Sequence, residues 1–296
     1  MAGHEFTSGR GYLDLWAGDP DPDVRRTIES FGFEWTTFDA VNEEDEGFWH
    51  RYFADVPLEE LRGRIGLDAG CGKGRYSRLT APHLSELVAM DASLAVEAAV
   101  RNTSDLKNAT VIRGDLRKPP LRAETFGFVS CLGVLHHLAD PLEGFRSLVR
   151  LLAPGGLLLI YVYSRPQKRG VRSYGLSAAA VMRKVTTRVP VRALRALCLP
   201  LSVALYVAFV LPGVAGNRWR IRTLARLPLG IYRGQPLRSL WLDTFDRLSA
   251  PLEFRYSWSD LEGWYRDAGL DVRAIREDAG LYILAEKPAP QSATAH

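Results

Sequence analysis

Residues 65–74 read IGLDAGCGKG, and this stretch decides the fold of the chain. Apolar residues lead into Asp68, and glycines then occupy positions 70, 72 and 74. The pattern predicts a short buried strand, a sharp turn and a helix over residues 75–80. Glycine permits the backbone angles of a tight turn and lets a ligand approach bare main chain. The G-x-G-x-G spacing departs from the G-x-G-x-x-G pattern of dinucleotide sites, so nicotinamide-dependent oxidoreduction is the least favoured function.

Four further strand-like runs follow the glycine stretch. They lie at 87–91 (LVAMD), 111–115 (VIRGD), 126–132 (FGFVSCL) and 152–163 (LAPGGLLLIYVY), with helical stretches at 93–101 and 141–151. Strands that alternate with helices predict a parallel sheet with helices on both faces. Ligands of such sheets bind at the carboxyl ends of the strands. The residues at the ends of these runs should therefore converge on one crevice, and they are Asp68, Asp91, Asp115 and Leu132.

These segments, in this order, resemble the class I S-adenosylmethionine-dependent methyltransferases. LDAGCGKG is similar to the first motif of that family, MDAS to the second, GDL to the third, and SCLGVLHHLADP and LAPGGLLLI to later ones. The resemblance covers residues 60–163, with a weaker match at 257–287. It implies an α/β fold with a Rossmann-like, seven-stranded, mostly parallel sheet and helices on both faces. A helical N-terminal layer and a helical insertion would be added to that sheet.

The resemblance also implies S-adenosylmethionine as the cofactor and no metal. An acid at the end of the second strand in nucleotide-binding α/β folds accepts hydrogen bonds from the ribose hydroxyls, which assigns Asp91 to that role. Asp115 and Leu116 would border the adenine. The residues expected to bind the cofactor are Asp68, Gly70, Cys71, Gly72, Gly74, Asp91, Ala92, Asp115, Leu116 and Leu132.

Aromatic residues and histidines are the candidates for the acceptor side of the site. Residues 24–31 predict a short helix, and the runs FGFEW (31–35) and FWHRYF (48–53) either staple a helical layer to the core or form a lid over the substrate. Two histidines follow the fourth strand, and His136 is the candidate general base because an imidazole titrates near neutral pH. The alternative for each histidine is a structural, hydrogen-bonded side chain. The expected substrate contacts are Trp35, Trp49, His137 and Tyr163.

Charge is distributed unevenly around an insertion that follows the fifth strand. Residues 165–242 contain fifteen Lys or Arg and no Asp or Glu, whereas the remainder has 23 basic and 34 acidic residues. Residues 196–216 carry no charge, which raises the question of a membrane span. Pro200 and Pro212 are expected to limit any helix there to about twelve residues, or about 18 Å. A helix of that length is too short to cross about 30 Å of hydrocarbon. Three interpretations stay open: a cap over the active site, a contact in a homodimer, or a peripheral membrane element through 196–240. Nucleic acid is disfavoured because few stacking aromatics accompany the basic residues.

The chain is expected to comprise five segments. They are an N-terminal helical cap (1–57), the cofactor-binding core (58–163), the basic apolar insertion (164–250), the C-terminal part of the core (251–287) and a flexible tail (288–296). In the fourth of these, a helix over 257–268 and a strand pair at 270–276 and 281–286 are expected. The first ten residues lack the pattern of a signal peptide, and three scattered cysteines favour a reducing compartment. We therefore expect a cytoplasmic protein, with contact to a membrane surface left open.

The expected function is methylation of a small-molecule acceptor at oxygen, nitrogen or carbon. The Asn-Pro-Pro-aromatic run associated with methylation of DNA and protein amino groups is absent after the fourth strand. The basic, apolar insertion favours an acceptor with a hydrophobic or anionic portion, such as a natural product or a lipid-linked compound. The alternatives are a non-methylating use of the same pocket, for aminopropyl transfer, decarboxylation or cyclisation, and a cofactor-binding scaffold subunit.

Overall fold

The computed structural model describes residues 11–16, 18–166, 171–278 and 280–289. These residues form two units. The core unit comprises the described residues up to Arg165 and from Leu252 onward, and the inserted unit is Pro166–Pro251. The expectations for the signal-peptide region at residues 1–10 and for most of the C-terminal tail lie outside the described residues.

The core unit is built on one sheet of eight strands. They are β1 (Leu13–Asp14), β2 (Ile65–Ala69), β3 (Glu86–Asp91), β4 (Ala109–Arg113), β5 (Phe126–Leu132), β6 (Leu152–Tyr163), β7 (Asp271–Glu277) and β8 (Gly280–Glu286). Their order is β1-β4-β3-β2-β5-β6-β8-β7, and only β8 runs antiparallel to its neighbours. The mostly parallel α/β fold is therefore confirmed. The predicted number of seven strands was one too low, because the two-residue β1 pairs with β4 at the edge of the sheet.

Strands β2, β5 and β6 occupy the middle of the sheet and are buried on both faces. Residues 157–162 of β6 are all buried, as are residues 128–132 of β5. A central parallel strand that is covered on both faces is a continuous apolar run in the sequence, which is why these strands could be recognised. The order of the strands reverses between β2 and β5. In open α/β sheets the ligand crevice lies at this reversal, outside the carboxyl ends of the strands.

Eleven α-helices accompany the sheet in the described part of the chain. Those of the core unit are α1 (Pro22–Thr37), α2 (Glu43–Tyr52), α3 (Arg75–Thr80), α4 (Val96–Thr103), α5 (Pro141–Leu151) and α11 (Trp258–Asp267). Those of the inserted unit are α6 (Val171–Thr186), α7 (Val191–Leu205), α8 (Leu211–Arg218), α9 (Arg222–Ala225) and α10 (Leu237–Ser249). Helices α3 and α5 begin and end where the sequence predicts.

Helix α1 is longer than the predicted helix over residues 24–31, and it includes the aromatic run FGFEW. Gly32 lies inside it, and a Cβ at Gly32 would come within 3.2 Å of the Cβ of Ser93. The missing side chain thus allows α1 to approach the segment after β3 closely. Gly32, which directly follows the predicted helix, is a packing contact inside α1.

The inserted unit contains a helical run that the sequence analysis did not predict. Helices α7 and α8 are joined by a π-helical turn (Tyr206–Val210), and the run Val191–Arg218 is 28 residues long. By length and composition it could cross a membrane. The prediction of at most about twelve residues was therefore wrong. Pro200 is accommodated inside α7, and Pro212 lies in the first turn of α8, directly after the wider π turn.

Candidate active site

The loop after β2 is held in a shape that only glycine adopts readily. Gly70, Gly72 and Gly74 have φ angles of +83°, +53° and +75°. The amides of Gly70 and Cys71 donate to the carbonyl of Met90, at 2.7 and 2.9 Å, which ties the loop to the end of β3. A Cβ at Gly70 would overlap Val134, which lies in the loop after β5. The loop therefore packs closely between the ends of β3 and β5 and presents bare main chain.

Asp91, at the end of β3, fixes this loop from the other side. One of its oxygens accepts a hydrogen bond from the amide of Gly72 at 2.9 Å. The other accepts from the amide and hydroxyl of Ser93, at 2.8 and 2.7 Å. Asp91 is thus a positioning residue for the glycine loop as well as the predicted ribose ligand. Ser93 was missed by the sequence analysis, although the Asp-Ala-Ser run was the available signal.

Asp68 is a buried carboxyl group at the end of β2. It accepts hydrogen bonds from the hydroxyls of Ser77 at 2.5 Å and Ser130 at 3.4 Å. Burial, opposed by the hydrogen bonds from the two hydroxyls and assisted by the nearby charge of Asp91, raises the pKa of Asp68 to about 6. The charge of this predicted cofactor ligand consequently changes close to physiological pH.

The side chains of the remaining predicted cofactor residues are paired or buried in different ways. The carboxylate of Asp115 already binds the guanidinium of Arg117 at 2.7 Å. Leu116 and Leu132 are buried in two separate apolar clusters, and the carbonyl of Ala92 accepts from Arg113. Burial raises the pKa of Cys71 well above its ordinary value, so this side chain is a neutral thiol. Asp115 would therefore bring an ion pair, rather than an unpaired carboxylate, to an adenine.

A group of rings lies beyond the ends of β5 and β6. The ring centroid of His136 is 4.0 Å from that of Tyr163 and 4.3 Å from that of His137. Phe31 of α1 contacts His137 at 4.8 Å, and the guanidinium of Arg255 lies 4.9 Å above Tyr163. The structure therefore brings together three of the five residues predicted for the acceptor side, and it adds Phe31 and Arg255 to them.

The two histidines have different environments. Nδ1 of His137 lies 2.6 Å from the carbonyl oxygen of Leu252, so this nitrogen carries the proton and donates. His136 is fully buried, and neither ring nitrogen has a hydrogen-bond partner among the described residues. Burial lowers the pKa of His136 well below its ordinary value, and the charges of His137 and Arg255 add to this effect. The expectation that it titrates near neutrality is corrected: the imidazole is neutral at pH 7, and its role as a base stays a prediction.

The two predicted tryptophans lie elsewhere. Trp35 covers the glycine loop: the guanidinium of Arg75 lies 4.7 Å from its ring, and a Cβ at Gly72 would come within 3.2 Å of it. Trp49 is buried, donates to the hydroxyl of Thr80 at 2.9 Å and stacks on Phe53 at 4.9 Å. The structure does not bring Trp49 to the ring group, and the stapling interpretation describes it instead.

One contact that supports the site escaped the sequence analysis. Nζ of Lys73, in the glycine loop, lies 2.8 Å from a carboxylate oxygen of Asp45 in α2, and both side chains are only 5% exposed. Arg75 binds the other oxygen of Asp45 at 3.1 Å. Asp45 also closes a capping box with Asn42 at the start of α2. The pair thus ties the N-terminal layer to the loop, and its 28-residue separation left no local signal.

A surface cleft and the arrangement of possible metal ligands were the other candidates for a binding site among the described residues. A surface cleft of about 450 Å³ lies beside α5, and it is lined by none of the predicted site residues. No group of three or more His, Cys, Asp or Glu in the described part of the chain is arranged to hold a metal ion. The candidate active site is therefore defined by the convergence of residues at the ends of β2, β3, β5 and β6.

Comparison with known proteins assigns a class to this arrangement. Residues 67–160 match the model of a family described as a methyltransferase domain. The 2-phytyl-1,4-naphtoquinone methyltransferase of Thermosynechococcus vestitus is 26% identical over 144 residues, 46% of this chain and 64% of that protein. The tRNA U34 carboxymethyltransferase of Desulfotalea psychrophila is 26% identical over 132 residues, 43% of this chain and 40% of that protein. The chain thus spans less than two thirds of the length of these curated relatives.

A solved structure supports the fold. An O-methyltransferase family protein from Burkholderia thailandensis superposes with a TM-score of 0.50 at 15% identity, over 83% of this chain and 57% of that one. Together with the strand order and the glycine loop, the family match defines residues 67–160 as a class I S-adenosylmethionine-dependent methyltransferase domain. S-adenosylmethionine is the cofactor of this domain. The residues present fit it: three positive-φ glycines leave main chain open to a ligand, and Asp68 and Asp91 stand at the adjoining strand ends.

Proposed function

We propose that the chain methylates a small-molecule acceptor at oxygen, nitrogen or carbon, and that the acceptor has a hydrophobic or anionic portion. The observation that carries this proposal is the placement of the glycine loop and of the His136–Tyr163 ring pair at the ends of neighbouring strands. The quinone methyltransferase among the relatives acts on a small hydrophobic molecule by its name, which supports the same substrate class. Rings that surround His136 would contact the apolar part of the acceptor, and Arg255 would offer a positive charge to an anionic part.

The bound cofactor supplies a methyl group that its sulfonium charge already activates. The protein then has to orient the acceptor and, where the acceptor is a hydroxyl or amine, accept its proton. His136 is the candidate for the second task because its imidazole is neutral and neither ring nitrogen has a hydrogen-bond partner among the described residues. Its lowered pKa makes it a weaker base than an ordinary histidine. Asp91 and the Lys73–Asp45 pair hold the glycine loop in place. The cofactor would therefore be held at a fixed distance from the acceptor.

The test is incorporation of labelled methyl groups from S-adenosylmethionine into a panel of phenols, quinols, lipid-linked compounds and tRNA. Transfer to a hydrophobic or anionic small molecule, but not to tRNA, is the expected result. Consumption of the cofactor without a methylated product would instead indicate aminopropyl transfer, decarboxylation or cyclisation. Cofactor binding with no turnover on any acceptor would favour a scaffold subunit, and transfer to tRNA alone would overturn the proposed substrate class.

We also propose that the enzyme acts in the cytoplasm. Cys71, Cys131 and Cys198 are buried free thiols, which suits a reducing compartment. Cell fractionation with a tagged full-length chain tests this location, and recovery from outside the cytoplasm and its membrane surface would contradict it. The sequence also leaves open a second copy of this chain as a partner. Light scattering of the purified chain measures whether it forms a homodimer.

A further inference from the structure

The long helical run of the inserted unit exposes an apolar face. The large side chains on this face are between 37% and 61% exposed, and they are Leu197, Leu201, Val203, Val207, Leu211 and Val214. Soluble monomers seldom leave so many neighbouring large apolar side chains in contact with water, and larger patches mark sites of protein or membrane interaction. The run Val191–Arg218 would be about 42 Å long at 1.5 Å per residue. A surface of this length needs an extended apolar partner.

Arginines flank the apolar face at both ends. Arg188 and Arg192 precede it, and Arg218, Arg220, Arg222 and Arg226 follow it; all six are exposed. None of these six forms an ion pair with an acidic group among the described residues. The whole segment 165–242 lacks Asp and Glu. An apolar face between unpaired arginines matches an anionic bilayer surface. The apolar face would contact acyl chains there, and the arginines would bind lipid phosphates.

The opposite face of the run packs on the rest of the inserted unit along its length. Leu194, Cys198 and Ser202 are buried at four-residue intervals in α7. The indole of Trp241 donates to the carbonyl of Arg195 at 3.0 Å, and the hydroxyl of Tyr206 donates to the carbonyl of Gln235 at 3.1 Å. Further along, a Cβ at Gly216 would come within 2.5 Å of the amide nitrogen of Ala225. The run is therefore backed by other elements from its first turn to its last.

The backing elements carry charges that a hydrocarbon environment would penalise. Asp243 of α10 accepts from the hydroxyl of Tyr232 and pairs with Arg247 at 3.3 Å. Arg233 donates to the carbonyls of Ala225 and Leu227. Ionised side chains within the bilayer are costly, so a run that crossed the membrane together with its backing would be unfavourable. Pro200 points the same way: it is exposed and cannot donate to the carbonyl of Ala196, which water at the interface could satisfy.

We propose that the inserted unit docks on an anionic phospholipid surface, with Val191–Arg218 lying in the plane of the interface. The exposed apolar face enters the boundary between headgroups and acyl chains, and the flanking arginines bind lipid phosphates. This docking goes beyond the proposed methyl transfer and does not depend on it.

The experiment is flotation of the full chain with vesicles of phosphatidylcholine alone and of phosphatidylcholine mixed with phosphatidylglycerol. Binding to the anionic vesicles, weakened by added salt, is expected. The double variant Leu201→Glu/Val207→Glu should lose binding at least about tenfold, because carboxylates replace the inserted apolar side chains. Its matched control is Val272→Glu/Ile275→Glu, on exposed apolar positions of β7. Circular dichroism and calorimetry with S-adenosylmethionine confirm that each variant is folded.

A second variant set tests the arginines. Removal of three in Arg218→Gln/Arg220→Gln/Arg222→Gln should weaken binding to anionic vesicles by about fivefold for each arginine. The control removes the exposed Arg62, Arg122 and Arg266 of the core unit in the same way. Equal binding to both vesicle types, or no binding, would overturn the proposal. Failure of alkaline carbonate to extract the membrane-bound chain would also overturn it, because such resistance indicates a membrane-spanning helix. A dimer that forms without lipid and is dissociated by Leu201→Glu/Val207→Glu would overturn it as well.

Discussion

The buried carboxyl of Asp68 makes the stability of the fold depend on pH. Its pKa is about 6 in the folded chain against 3.8 for an ordinary Asp, so the folded state holds the proton over a range in which the unfolded state has released it. The stabilisation is complete below 3.8 and is lost as the pH rises through about 6. The wild-type chain should therefore lose roughly 2 kcal/mol of stability between pH 4 and pH 7 through Asp68, and replacement by Asn should remove this loss. Urea unfolding of both proteins across this range measures it, and parallel stability curves would contradict it.

His136 separates stability from activity at a single position. Both ring nitrogens are buried without a hydrogen bond in the described structure, and an unsatisfied buried polar atom costs about 1–3 kcal/mol. His136→Phe should thus keep or raise the free energy of unfolding and preserve the contact with Tyr163. Methyl transfer to a hydroxyl or amine acceptor should fall by about 10²-fold or more, because the base is lost. Denaturation and turnover are compared on the same protein, and full turnover in the variant would exclude a catalytic role.

The pH profile of the wild-type enzyme gives an independent check on the same imidazole. Because the pKa of His136 is lowered well below 6.5, its base form persists as the solution is acidified. The kcat/KM of the proposed reaction should therefore show no loss from His136 between pH 8 and pH 6.5. A base with the pKa of an ordinary histidine, about 6.5, would already lower kcat/KM over about the last pH unit of this range. A loss in this range that disappears in His136→Phe would show that the imidazole titrates normally.

At the scale of elements, the Lys73–Asp45 pair joins α2 to the glycine loop. Asp45→Asn removes the negative partner and leaves the ammonium of Lys73 buried, which costs about 3–5 kcal/mol for a fully buried pair. The affinity for S-adenosylmethionine should fall as well, because the loop loses the ion pair that ties it to α2. Glu43→Gln, an exposed acid in the same first turn, is the control and should change stability by about 0.5 kcal/mol or less. Equal effects of the two substitutions would contradict a tether.

The same scale explains what the sequence could and could not predict. The strands of the core and the loop at Gly70–Gly74 leave local signals, because a strand buried on both faces is a continuous apolar run and a tight turn needs glycine. The strand pairing of Leu13 with Ile112 and the pairing of Asp45 with Lys73 join distant positions, so no local pattern announces them. The helix through Pro200 and Pro212 was not predicted for another reason: the rule that proline ends a helix does not hold for Pro200 inside α7 or for Pro212 directly after the π turn.

For the whole molecule, the site residues near the cofactor were easier to predict than those near the acceptor. Asp68, Asp91 and the glycines follow from their positions at strand ends, and the structure places them together. Trp49 was assigned to the substrate from its aromatic neighbourhood alone, and the structure buries it against Thr80 and Phe53 instead. Sequence-local aromatic content does not specify which face of a helix meets the site, and this limits any prediction of the acceptor pocket.

The central claim is that the loop held by Asp91 binds S-adenosylmethionine, and calorimetric titration of the full chain tests it most directly. We predict one-site binding that weakens at least about tenfold in Asp91→Ala, because the amide of Gly72 and the segment at Ser93 lose their common acceptor. Asp271→Ala, an exposed acid at the start of β7, is the control and should bind as the wild type does. No binding by the wild-type chain, or an unchanged affinity in Asp91→Ala, would contradict the account.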